Sequence, residues 1–121
     1  MAYEMFRKKK TGRRRGKFIT ITKQGSMRFS KECYTEYMED YSYIKFLYSK
    51  DRNIIALLLR TEEDVDTYKI RKQQIKNSFI YSASATAFLK FFNIDFSETK
   101  RYSPLFIEDK EKIKINLNKE I

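Results

Sequence analysis

Residues 18–22 (FITIT) alternate apolar and hydroxyl side chains with the period of two of a half-buried strand, and their β-branched members favour that state. Residues 23–26 follow as a turn with Gly25 free to take a positive φ, and residues 27–29 return as a second strand. The period then changes. Ser30 stands where a helix N-cap accepts from first-turn amides, Glu32 suits the positive end of the helix dipole, and Cys33, Tyr34, Tyr37, Met38 and Tyr41 recur at helical spacing. A hairpin closes the unit, with strands at 43–48 and 54–59 around a turn at 49–53.

The same order then recurs. After an acidic connector at 61–66, residues 67–71 predict an opening strand, 72–78 a longer turn and 79–82 the return strand. Ser84 can cap a helix carrying Ala87, Phe88, Phe91 and Phe92, each 54 positions beyond Ser30, Cys33, Tyr34, Tyr37 and Met38. In the second hairpin (105–107, turn 108–112, 113–117), Ile113, Ile115 and Leu117 match Ile54, Ala56 and Leu58 at an offset of 59. The extra five residues fall in the loop at 95–103, where insertion costs little. A lone unit of roughly 45 residues buries too little surface to be stable. The expected fold is therefore mainly β with two short helices (α+β). Two ββαββ repeats, 17–60 and 67–118, would share one core about a pseudo-twofold axis, as a barrel or sandwich filling a single domain at 17–121.

Charge adds a partner class. Lys and Arg number 26 against 16 Asp and Glu, a net +10, and the pI is about 9.7. Most of the excess sits in residues 1–17, where Arg7, Lys8, Lys9, Lys10, Arg13, Arg14, Arg15 and Lys17 face only Glu4. With Gly12 and Gly16 and no apolar stripe, residues 1–16 are expected to be a basic arm that is disordered when free. Such an arm either tracks phosphates and releases counterions, or serves as a solubilising or nuclear-localisation-like run.

Other chemistries are excluded or expected to be absent. The chain has no histidine, which removes Ser-His-Asp and Cys-His nucleophile sites and His-ligated metals. Cys33 is the one cysteine, expected as a small buried apolar group rather than a reactive thiol. No glycine loop frames a phosphate, and Glu62, Glu63, Asp64 and Asp66 lack the spacing and glycine of a calcium loop. No catalytic residue, metal or cofactor is expected, and the protein reads as a non-enzyme. No apolar run reaches 18 residues and the N-terminus lacks an apolar leader core, so no membrane partner and a cytoplasmic location are expected. Phe88, Phe91 and Phe92 are expected in the core, Tyr34, Tyr37 and Tyr41 in the core with hydroxyls at its rim, and Tyr48, Tyr68, Tyr81 and Tyr102 on either face.

The stretch 19–32 resembles the start of the AbrB/SpoVT swapped-hairpin family: strand, glycine turn, apolar-x-apolar strand, then Lys-Glu opening a helix. Gly25, Met27, Phe29, Lys31 and Glu32 match that pattern, while Ser26 and Ser30 stand where the family often has Arg and Pro. The resemblance covers about 40 residues of the first unit; the second unit agrees in element order alone. It implies a barrel of two ββαββ halves that binds DNA through basic first hairpins, here as a monomeric pseudo-dimer or a homodimer. Lys23, Gln24 and Arg28 would then contact DNA from one hairpin, and Arg71, Lys72, Gln73, Gln74, Lys76 and Asn77 from the other. Cations position on phosphates, while Arg, Gln and Asn also read base edges. The leading expectation is a small regulator or accessory factor binding nucleic acid, DNA ahead of RNA, through the arm and both hairpins. The alternative is an interaction or inhibitor module whose sheet edges take an acidic protein partner.

Overall fold

The structure, a computed structural model, describes residues 16–121, and its strands all join one antiparallel sheet. In chain order these are β1 (Ile19–Ile21), β2 (Ser26–Phe29), β3 (Tyr43–Ser49), β4 (Ile54–Arg60), β5 (Tyr68–Lys69), β6 (Arg71–Ile75), β7 (Ser78–Ser84), β8 (Lys100–Ile107) and β9 (Lys112–Glu120). Across the sheet they run β5-β3-β4-β9-β8-β1-β2-β7-β6. The two outermost strands are neighbours in sequence, separated by Ile70 alone, so the sheet curls into a nearly closed barrel. The expected single strand at 67–71 is thus split. Ile70 is buried and donates its amide to Ser42 O at 2.9 Å, with β5 pairing β3 on one side and β6 pairing β7 on the other.

Alternation fills the barrel. Ile19 and Ile21, Met27 and Phe29, Ile55, Leu57 and Leu59, Tyr81 and Ala83, and Ile113 and Ile115 point inward from their strands and are buried. Two helical segments pack against this core. Ser30 caps α1 (Lys31–Cys33) as expected, its Oγ accepting from Cys33 N at 3.2 Å. The chain then widens into a π-helix (Tyr34–Met38). The fully buried pair is Cys33 and Met38, five residues apart, a spacing that suits the wider turn. Tyr34 and Tyr37 reach the rim, stacked on Tyr81 (3.9 Å) and Phe106 (4.6 Å), and Tyr41 OH donates to Glu111 Oε2 at 2.7 Å.

The second helix departs from expectation. Ser84 ends β7 instead of capping, and Ala85 precedes α2 (Thr86–Phe91) without a side-chain cap. At six residues, α2 turns only one short stripe inward. Phe88 and Leu89 are buried, whereas Phe91 is 79% exposed and Phe92 39%, so neither of these two belongs to the core. Gly25 makes the junction possible. At φ +86 its carbonyl accepts from Ala85 N (2.9 Å) and Thr86 Oγ1 (3.2 Å), and a Cβ there would overlap the Thr86 hydroxyl.

The hairpins β3–β4 and β8–β9 have equal four-residue loops, each ending in a left-handed residue, Asn53 (φ 56) and Glu111 (φ 49). The two are tied to each other: Leu117 N donates to Asn53 O and Leu59 N to Glu111 O, both at 2.9 Å. These positions correspond at an offset of 58, not 59. The one-residue difference exchanges faces, as it must in a structure of period two. Ile55, Leu57 and Leu59 are the buried set, and Ile54, Ala56 and Leu58 lie on the outer face.

The first hairpins are unlike each other. Residues 72–78, expected as a turn, form most of β6 and a two-residue loop, Lys76-Asn77, with Lys76 at φ 55. Every residue from 71 to 79 is exposed, so this β-ribbon projects from the barrel. The loop expected at 95–103 is shorter too, since β8 begins at Lys100.

Candidate nucleic-acid interface

Strand pairing brings three arginines into one row across the outer face. Arg71 on β6 lies opposite Ser82 on β7, Ser82 opposite Arg28 on β2, Arg28 opposite Thr20 on β1, and Thr20 opposite Arg101 on β8. The arginines are exposed and the intervening hydroxyl residues are small, so each guanidinium has room to reach outward. Four strand intervals of about 4.8 Å give the row a length of roughly 19 Å measured along the curved wall. Phe18 floors its far end, with the Arg101 guanidinium 5.4 Å from the ring centre. Arg28, Arg101, Phe18, Thr20 and Ser30 line one shallow cleft.

No Asp or Glu occurs in β1, β2, β6, β7 or β8. Among the described residues the ion pairs are Lys17–Glu36 (2.8 Å) and Lys45–Asp64 (3.1 Å), so none of the three arginines is tied into one.

The ribbon continues this surface. Gln73 follows Arg71 on the same face of β6 and pairs with Ile80; Lys72 and Gln74 lie on the other face, where Lys72 Nζ sits 4.6 Å over the Phe79 ring. Lys76 and Asn77 form the tip. Lys23 stands apart in the β1–β2 turn, its amide donating to Thr99 Oγ1 at 3.1 Å, beside Lys90 and Asp95. Lys17 is committed to Glu36 and lies 5.6 Å from the Tyr37 ring; the hydrogen bond to Glu36 holds its ammonium above the usual lysine range. Arg7, Lys8, Lys9, Lys10, Arg13, Arg14 and Arg15 lie outside the described residues. Gly16, where the described chain starts, is held by Ser30, whose Oγ donates to Gly16 O at 2.9 Å and accepts from Phe18 N at 2.9 Å.

Of the sequence-predicted residues, Arg28 and Arg71 are thus brought together, Lys72 and Lys76 occupy the adjoining ribbon, and Lys23 is separate. Arg101 was missed because residues 95–103 read as a loop; the alternation of Arg101, Tyr102 and Ser103 is its faint signal. Burial pushes the Cys33 thiol up to about 12 and raises the Tyr102 and Tyr34 hydroxyls. In the acidic connector, Asp64 accepts from Val65 N and from Lys45 Nζ, which keeps its carboxyl below the usual range. No helix among the described residues is long and apolar enough to cross a membrane. No protein-family model, curated protein or solved structure matches this chain.

Proposed function

We propose that this protein binds duplex DNA through the row Arg71–Arg28–Arg101 and the β6–β7 ribbon. The observation that carries this reading is the register itself, which sets three exposed arginines, none in an ion pair among the described residues, at even spacing on strands that hold no Asp or Glu. The row runs about 19 Å along the curved wall, enough for its arginines to follow a stretch of phosphate backbone, and the amides Gln73 and Gln74 of the ribbon are the groups available to read base edges. A two-stranded ribbon is one of the elements that groove admits. Gly16 is held by Ser30, which lines the same cleft as Arg28, and the cations that precede it in sequence, Arg7 to Arg15, add phosphate contacts in this reading. The role is that of a small regulator or accessory factor, not an enzyme, acting in the cytoplasm.

The tandem ββαββ architecture and kinship to AbrB/SpoVT-like barrels belong to the same proposal. Supporting them are the matched hairpins at offset 58, the reciprocal Leu117–Asn53 and Leu59–Glu111 hydrogen bonds, and the direct pairing of the two return strands β2 and β7. The unlike first hairpins and helices are the parts that diverged.

The test is anisotropy of a labelled duplex across about 50 to 200 mM salt, against RNA and single strands of matched sequence. Duplex binding is expected to weaken steeply with salt. The triple variant Arg28→Ala/Arg71→Ala/Arg101→Ala should flatten the log-log slope by about 2.7 if all three meet phosphates. Binding no stronger than that of a neutral control protein, or a triple variant with the wild-type slope, refutes the proposal.

A further inference from the structure

The outer wall from β3 across β4 and β9 to the far end of β8 carries a surface the DNA reading does not use. β4 reads IIALLL, a continuous apolar run of the kind found in strands covered on both faces. Its inner residues fill the core, but among the described residues no element covers its half-buried outer ones. Register extends that outer face over four strands: Leu47, Ala56, Lys114 and Leu105 form one row, and Lys45, Leu58, Lys112 and Ile107 the next. Leu47 is 46% exposed and Leu105 62%. Beside Leu47 the patch runs into a groove walled by Phe91 and Phe92, the two aromatics that α2 leaves outside the core. Three strand intervals across, and four residues along β4, each measure about 14 Å.

From this face we infer a docking site for an amphipathic, acidic segment of a partner protein, with aliphatic anchors between its carboxylates. The charge pattern selects the occupant. Lysines alone supply ionic groups in these rows, and with Lys45 paired to Asp64, Lys112 and Lys114 face outward without a partner among the described residues. A second copy would oppose these lysines with its own, which disfavours self-association. A lipid surface, which the adjoining Phe91 and Phe92 would also suit, is the outcome that the vesicle arm of the test separates from the peptide. An acidic segment satisfies both features: apolar anchors cover Leu47, Ala56 and Leu105, and carboxylates meet the lysines. The inference is independent of the arginine row.

The test uses the full chain and a helical peptide of Leu and Glu with its leucines at i, i+3, i+4 and i+7, mapped by amide chemical shifts. A peptide with Lys in place of Glu, phosphatidylcholine/phosphatidylglycerol vesicles, and sedimentation of the protein alone are run beside it. The Leu/Glu peptide is expected to bind saturably, moving the signals of Leu47, Ala56, Leu105 and Lys114. Its affinity should fall roughly tenfold or more in Leu47→Lys/Leu105→Lys and in Lys112→Glu/Lys114→Glu, yet hold in Arg28→Ala/Arg101→Ala. Melting curves verify that the variants fold, and the exposure of both leucines makes that the expected result. Undiminished binding in the folded variants, shifts confined to the arginine row, equal binding of the Lys peptide, vesicles occupying the face in place of the peptide, or a dimer dissociated by Leu105→Lys would each overturn the inference.

Discussion

Gly25→Ala tests the junction on which the β1–β2 turn, α2 and the barrel wall all depend. At φ +86 a residue with a Cβ is strained, at a cost of about 1–2 kcal/mol. The added methyl also enters occupied space: its ideal position overlaps the Thr86 hydroxyl and lies 3.0 Å from Thr86 Cβ and 3.1 Å from Thr86 Cα. The hydroxyl can rotate away, but the Cα is backbone at the start of α2, and forcing it back adds about 1–3 kcal/mol. The total is roughly 2–5 kcal/mol, a large share of the 5–15 kcal/mol that holds an ordinary domain together. The assay is urea and thermal unfolding by circular dichroism, and Tm should drop by about 10 °C or more. Thr86→Ala in the same chain removes the hydroxyl overlap but neither the close Cα nor the strained φ. The double variant should therefore recover about 1 kcal/mol and no more. A Gly25→Ala protein melting within about 2 °C of wild type would refute the account of this turn, because no relaxation short of moving α2 relieves all three contacts.

Two further predictions concern the core. Cys33 is neutral in the fold with its titration raised to about 12, whereas the unfolded thiol ionises near pH 8.5–9. Its contribution is therefore complete below that range and is lost as pH rises from there to about 12. Between pH 7 and pH 10 the wild type should lose about 1.4–2 kcal/mol more unfolding free energy than Cys33→Ala, and equal losses would refute the burial. On α2, Leu89→Ala should cost about 2–4 kcal/mol, while Phe91→Asp stays within about 0.5 kcal/mol by urea unfolding; the reverse order would contradict the orientation of this helix.

Many strands were legible in the sequence: β1, β2, β3, β4 and β7 appear within two residues of their predicted bounds and β9 within three, whereas β8 begins five residues before its predicted start. The errors share physical causes. In β4 every residue from Ile54 to Leu59 is apolar, so periodicity could not say which face is buried, and the alignment to β9 slipped by one. The polar run Arg71-Lys-Gln-Gln74 has no apolar face because its ribbon leaves the core, so it imitated a turn. Phe91 and Phe92 lie at helical spacing, but only tertiary geometry reveals that α2 ends before they turn inward. For the candidate site, the cationic hairpins were readable, whereas the row was not: Arg28, Arg71 and Arg101 come from distant parts of the chain and meet only through β2–β7 and β1–β8 pairing.

The split at Ile70 makes the sheet a ring with a seam. Around most of the circumference neighbouring strands zip together over several residues, but at the seam β5 contributes only two pairs and β6 has no partner strand on its far side among the described residues. A ring with one weak joint breathes there first. Slow amide exchange should thus grade outward from β4 and β9 toward Tyr68 and Lys72, and the ribbon can swing about Ile70 while the rest of the wall keeps its shape.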